Sequence, residues 1–247
     1  MTFDAHPRSS LIVALDFDSL TSAVKFAKQV ADLVGMFKIG SQLFTSAGPE
    51  AVRQVAQLGT DIFLDLKFHD IPNTVAGAVL SSAAMPGVQL VNVHALGGTA
   101  MMRAAAQAVS AGVPMGADRT RLLAVTILTS MDQKAIREVG LGGAPKLRVV
   151  KLAKLAQKAG VDGVIASVQE AKAIRKACGR EFLIVTPGVR PRDKSAGEND
   201  DQARTATPRH AIKAGADFIV VGRPILAASD PRAAAQEIVD EIAAAKG

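Results

Sequence analysis

Along this chain, short and nearly continuous apolar runs alternate with longer segments whose apolar residues recur every three or four positions. The runs occupy residues 11–16, 36–40, 61–65, 90–94, 122–128, 162–167, 182–187 and 217–222. A strand with one wet face alternates apolar and polar residues, whereas a run that is apolar throughout is buried on both faces, as in a parallel sheet covered by helices. Eight such runs separated by helix-period segments predict an α/β protein, a (β/α)8 TIM barrel forming a single domain over residues 1–247. A doubly wound open sheet is the alternative that the same rhythm allows.

The intervening segments carry helix punctuation. Leu20, Ala23, Val24, Ala27, Val30, Ala31 and Val34 share one helical face behind a cap at Asp18 or Ser19. Pro49 suits a first helical turn, and Gly59 follows a helix expected to end at Leu58. Thr207-Pro208 opens another helix, which Gly215 closes. Two stretches interrupt the rhythm, residues 112–121 and the longer 190–204. The second follows the seventh strand, on the side where barrel loops build active sites, and is a candidate lid.

Composition narrows the classes. Of 247 residues 49% are apolar, enough for a large core, yet no apolar run reaches the length of a membrane span. Residues 1–10 are polar and lack the apolar stretch of a secretory signal, so a cytoplasmic, membrane-free protein is expected. The net charge of +6 suits an anionic ligand. Its lysines and arginines are scattered, and Trp and Tyr are absent, which argues against nucleic-acid binding. Cys178 is the single cysteine, lies in a helix-period segment, and reads as a packing residue.

Charge stands out where the pattern is otherwise apolar. Asp65-Leu66-Lys67-Phe68-His69-Asp70-Ile71-Pro72-Asn73-Thr74 follows the apolar residues Ile62, Phe63 and Leu64. Asp65 and Lys67 are two apart, so a regular strand would project both to one face. Carboxylates beside an ammonium in a dry cavity keep it charged and able to donate a proton. By spacing alone, the same residues also fit a surface ion pair. Lys38 lies between Phe37 and Ile39 and needs an anionic partner or an exit to water. Asp16 ends the first run, where a turn or helix cap is its plainer use. His69 and His94 show no metal-ligand spacing, and neither is assigned a chemical task.

Asp65-x-Lys67-x-x-Asp70-Ile71-Pro72-x-Thr74 closely resembles the signature of orotidine 5′-phosphate decarboxylases, and the resemblance runs from about Leu11 to Arg223. Asp16 and Lys38 match the family's residues on the first two strands. Thr129 and Ser130, in Leu-Thr-Ser, match its pyrimidine contacts. Arg190, Gly222 and Arg223 match its phosphate site, and Gln202 matches the glutamine of its phosphate-gripping loop, here residues 190–204. That loop is a few residues longer than the family form, which leaves another polar residue as the alternative to Gln202.

The resemblance implies decarboxylation of a pyrimidine nucleotide with no cofactor and no metal, with Lys67, Asp65, Asp70 and Lys38 as the catalytic charges. It also implies a homodimer in which Asp70, with Thr74 close by, enters the neighbouring subunit's site. Metal-dependent phosphosugar enzymes of the same superfamily are the rival, and they are expected to place a Glu ligand where this chain has Lys38. A binding barrel without catalysis is the remaining alternative.

Overall fold

The computed structural model describes residues 6–111, 119–191 and 206–247. Its strands are β1 (Leu11–Ala14), β2 (Met36–Gly40), β3 (Asp61–Phe68), β4 (Val88–His94), β5 (Arg121–Val125), β6 (Gly163–Ile165), β7 (Leu183–Thr186) and β8 (Phe218–Val221). All neighbours are parallel, and β1 pairs with both β2 and β8, so the sheet closes in the order of the sequence. The barrel is therefore observed and the open-sheet alternative is excluded.

The period-2 geometry of the strands divides the apolar residues into two cores. Outward residues such as Leu11, Val13, Phe37, Ile39, Ile62 and Leu64 pack beneath the helices. Inward residues, including Ile12, Ala14, Met36, Phe63, Leu90, Leu123, Val125, Phe218 and Val220, fill the barrel itself. The register lays Ala14 beside Lys38, Lys38 beside Phe63, and Gly40 beside Asp65. Following the inward positions toward the strand ends, Lys38 succeeds Met36 and Asp65 succeeds Phe63. The charges thus begin one pleat above an apolar floor.

The expected helix after β1 spans Leu20–Val30, with Ser19 as its cap; of the rest of the predicted stripe, Ala31 falls in a 3-10 turn at Ala31–Leu33 and Val34 is extended just beyond it. The helix Pro49–Ala56 stops two residues before Leu58. Pro208–Lys213 begins and ends as its Thr-Pro and Gly signals predict, and Gly215 has φ 102°. Most strands are shorter than their apolar runs. Leu15, Ile127 and Ala166 are buried beyond the strand ends, and the Leu15 and Ala166 N–H groups still donate to the Lys38 and Val185 carbonyls of the neighbouring strands.

At the opposite, N-terminal rim of the barrel, Asp162 pairs with Arg119 and Arg121 and accepts a hydrogen bond from the Leu122 N–H. Asp217 similarly joins Arg175 at 2.7 Å to the Ile184 N–H. These networks tie adjacent strands together away from the site described below. Cys178 is buried at the end of its helix, and burial pushes its thiol pKa up, as befits a packing residue. No helix among the described residues is long and apolar enough to cross a membrane.

Candidate active site

The C-terminal strand ends surround a cavity of about 290 Å3. Phe63, Val125, Ile165 and Val220 line its apolar floor, and Asp16, Lys38, Asp65 and Lys67 line one wall. Thr129, Ser130, Arg190, Gly222 and Arg223 line it from the loops after β5, β7 and β8. Nine of the anticipated site residues therefore converge on one space.

The four charges form a continuous chain. Lys38 Nζ is 3.1 Å from Asp16 Oδ1 and 3.5 Å from Asp65 Oδ2, and Lys67 Nζ donates to Asp65 Oδ1 at 2.7 Å. Asp16 is half exposed, whereas Lys38 and Asp65 are buried, with side-chain exposures of 12% and 9%. Burial alone would push the Asp65 carboxyl upward. The charges of Lys38 and Lys67, with hydrogen bonds from Lys67 and Asn92, outweigh it and hold the carboxyl below its ordinary value. An ionised Asp65 and its two neighbouring ammonium groups make a pre-set electrostatic array at the cavity wall.

The Asp65–Lys67 pair forms, but not by regular strand alternation. Leu64 pairs with Val91 and Phe68 with Val93, so four steps along β3 match two along β4. Inside this bulge Lys67 takes φ 53°, the only positive φ outside glycine among the described residues. Such a backbone costs a residue bearing a Cβ about 1–2 kcal/mol. Asn92 sits opposite, fully buried; its carbonyl accepts from the Lys67 N–H at 2.8 Å and its amide donates to Asp65 Oδ1 at 2.6 Å. Asn92 is not among the site residues anticipated from the sequence. The signal was there: a polar residue inside Leu90-Val91-Asn92-Val93, at an inward position.

Asp70 is not brought to Lys67 within one chain. It is exposed, its Oδ1 accepts from the Ile71 N–H at 2.6 Å, and it does not line the cavity. Ile71 and Thr74 are likewise exposed and outside the lining. Gln202, and residues 192–205 of the long loop, lie outside the described residues. Val189 and Ala206 form a parallel bridge across the base of that loop, and the Arg190 N–H donates to the Ala206 carbonyl at 2.9 Å.

After β8 a four-residue helix, Arg223–Leu226, starts behind Gly222. However, Pro224 has no N–H, and the amides of Ile225 and Leu226 close on the Gly222 carbonyl. The turn offers an anion the Arg223 side chain and few helix amides. A Cβ at Gly222 would meet Ala14 and Asp16 at an ordinary 3.6 Å, so packing alone does not demand glycine there.

His94 and His69 stack with ring centroids 5.5 Å apart, and His94 Nδ1 is buried without a hydrogen-bond partner. Burial, then repulsion from His69 and Lys67, lowers the His94 pKa against the opposing pull of Asp65. Among the described residues no group of three or more His, Cys, Asp or Glu side chains is placed to hold a metal ion. Where the rival phosphosugar enzymes are expected to place an acidic ligand, Lys38 puts a cation against Asp16 and Asp65.

A closed parallel barrel with acidic and basic groups alternating at its C-terminal rim, and arginines beside its last two strands, defines a (β/α)8 enzyme acting on an anionic small molecule. Comparison with known proteins makes this specific. The model of the orotidine 5′-phosphate decarboxylase / HUMPS family matches residues 9–238, and the chain belongs to that family. It is 52% identical over 240 residues to the orotidine 5′-phosphate decarboxylase of Geotalea uraniireducens (strain Rf4), covering 97% of this chain and 98% of that one. Identity to the same enzyme of Syntrophotalea carbinolica is 53% over 239 residues, 96% of each chain. The crystal structure of orotidine 5′-phosphate decarboxylase from Lactobacillus acidophilus superposes with TM-score 0.81 at 41% identity, covering 94% of this chain and 98% of that one.

Proposed function

We infer that this chain decarboxylates orotidine 5′-phosphate to uridine 5′-phosphate, the last step of de novo pyrimidine nucleotide synthesis. The observation that carries the reading is the chain Asp16–Lys38–Asp65–Lys67 on the wall of an apolar-floored cavity. Relatives at 50–53% identity that carry this activity in their names support it.

The reaction breaks the bond between the pyrimidine ring and its carboxylate. The electron pair stays on the ring carbon, carbon dioxide departs, and that carbon takes a proton. No ring carbonyl is positioned to delocalise the pair well, so the protein must stabilise it electrostatically. Lys67 Nζ faces the developing carbanion and delivers the proton. Asp65, kept ionised by its neighbours, faces the departing carboxylate, and its repulsion is relieved as carbon dioxide leaves. Lys38 holds Asp65 and Asp16 in place. Because the array is formed before the substrate arrives, little reorganisation remains for the reaction itself. Enzymes lower barriers by about 8 to 23 kcal/mol, and this chemistry demands the upper part of that range.

Thr129 and Ser130 contact the pyrimidine, and Arg190, Arg223 and the loop 190–204, with Gln202, grip the phosphate. Binding energy from that remote group is used in the transition state. Asp70 is supplied by a second copy. Exposed apolar side chains support this arrangement: Ile71, the cap of the helix Pro72–Ala83, and Leu80 within it are 66% and 43% exposed.

Incubating the protein with orotidine 5′-phosphate should discharge the substrate's near-ultraviolet absorbance with release of carbon dioxide. Nucleotide binding without that loss would leave a binding barrel instead. For the shared site, Lys67→Ala and Asp70→Ala proteins are mixed after dissociation, and partial activity should return through one intact hybrid site. No return, with hybrids shown to form, removes the shared-site claim.

A further inference from the structure

The bulge in β3 leaves a gap in the barrel ladder at the place where the decarboxylase reading puts the chemistry. Asp65, Leu66 and Lys67 lie between the paired residues Leu64 and Phe68, while β4 offers only Asn92 between Val91 and Val93. Lys67 is turned into the left-handed region, so its N–H cannot find a ladder partner in the ordinary way. The Asn92 carbonyl accepts that N–H at 2.8 Å, and the other end of the same amide donates to Asp65 Oδ1 at 2.6 Å. Asp65 Oδ1 also accepts from Lys67 Nζ at 2.7 Å, which closes a ring of contacts through one buried side chain.

We propose that Asn92 is a positioning residue for the decarboxylation, fixing both the backbone of Lys67 and the carboxylate plane of Asp65. The inference rests on the decarboxylase reading and extends it to a residue that does not line the cavity. The chemistry of the two partners explains the residue type. An N–H requires an acceptor and an ionised carboxylate requires a donor, and a primary amide supplies both on one short rigid side chain without adding charge. Leucine of similar size would leave the Lys67 N–H and one carboxylate lobe without partners in a dry barrel. Aspartate would still accept from Lys67 but would set a second carboxylate against Asp65.

Asn92 also explains how one carboxylate serves two cations. With Oδ1 held by Asn92 and Lys67, Oδ2 is left toward Lys38 at 3.5 Å. Asp65 thus faces Lys67 from its own strand, Lys38 and through it Asp16 from β2 and β1, and Asn92 and His94 from β4. Of these, Asn92 is the non-titrating member hydrogen-bonded to Asp65, so it locks orientation without altering the charge count.

The test compares Asn92→Ala, Asn92→Ser and Asn92→Asp with the unaltered chain, measuring kcat, KM and the pH dependence of kcat. Loss of a hydrogen bond to a charged group should lower kcat of Asn92→Ala about 10- to 100-fold. KM should change less than about 3-fold, because Asn92 does not line the cavity. The acid limb of kcat should move to higher pH as Asp65 loses a donor to its charged form, and further for Asn92→Asp, which adds a repelling carboxylate. Asn92→Ser, with a shorter donor, should fall between alanine and the original. A kcat within 2-fold of the original, or equal loss in all three variants with an unmoved acid limb, overturns the proposal. Should the alanine variant not fold, the isosteric Asn92→Asp carries the comparison, and loss of fold in both at every pH would assign Asn92 a purely scaffolding role. An inactive unaltered chain would instead refute the decarboxylase reading, which keeps the two failures apart.

Discussion

The left-handed backbone at Lys67 makes a stability prediction opposite to the usual ranking of alanine over glycine. Consider Lys67→Ala and Lys67→Gly, both of which remove the ammonium and its 2.7 Å bond to Asp65, so that loss cancels between them. At φ 53° a Cβ costs about 1–2 kcal/mol, which alanine bears and glycine does not. The greater chain entropy of glycine in the unfolded state returns about 0.5–1 kcal/mol. The difference leaves Lys67→Gly more stable by about 0.5–1 kcal/mol, or roughly 1–4 °C in Tm for a domain of this size. Thermal melting followed by circular dichroism measures it directly. Decarboxylation of orotidine 5′-phosphate should be lost in both, by at least about 100-fold for the missing proton donor alone. A glycine variant less stable than the alanine variant would falsify the claim that Lys67 is held strained, and would mean the bulge relaxes in solution.

Other outcomes follow from the same geometry. Arg223→Ala should lower kcat/KM for orotidine 5′-phosphate about 10- to 100-fold, the worth of charge-assisted bonds, while leaving turnover of the unphosphorylated nucleoside unchanged; equal losses on both would take Arg223 off the phosphate. His94 has a folded pKa below 6.5, so below that pH the unfolded chain binds a proton that the folded chain refuses. Its contribution to stability is therefore complete above pH 6.5 and declines on acidification, and urea midpoints at pH 7.5 and 5.5 should converge in His94→Asn; an equal fall in both proteins refutes it. Leu80→Glu should shift the sedimenting species toward monomer and abolish activity together, although Leu80 does not line the cavity; an active monomer would exclude the two-chain site.

The barrel was legible because its signal is local and repeated. Runs without alternation declare strands buried on both faces, and β2 falls on its predicted residues 36–40. Strand ends were less legible, since Leu15, Ile127 and Ala166 remain buried beyond the last residues of their strands. The wall charges were readable as ionisable residues at the ends of apolar runs, but their mutual order was not. Lys38 reaches both Asp16 and Asp65 only because the register lays Ala14, Lys38 and Phe63 side by side. The bulge at Lys67 was out of reach for a different reason: it is stabilised by an amide 25 residues further along the chain. Asp70, Ile71 and Thr74 were anticipated at the site, yet one chain leaves them exposed and outside the cavity lining.

Closure of the barrel joins the first strand to the last, with Leu11 against Ile219 and Val13 against Val221. Asp16 leaves one of these strands and Gly222 and Arg223 leave the other, so the cavity exists only after the two ends of the chain have met. In the proposed complex a nucleotide spans them and would act as a clasp across the seam. Because it binds the closed form alone, each tenfold excess over its dissociation constant adds about 1.4 kcal/mol against opening. Supply of substrate and the lifetime of the folded enzyme are coupled through that single junction.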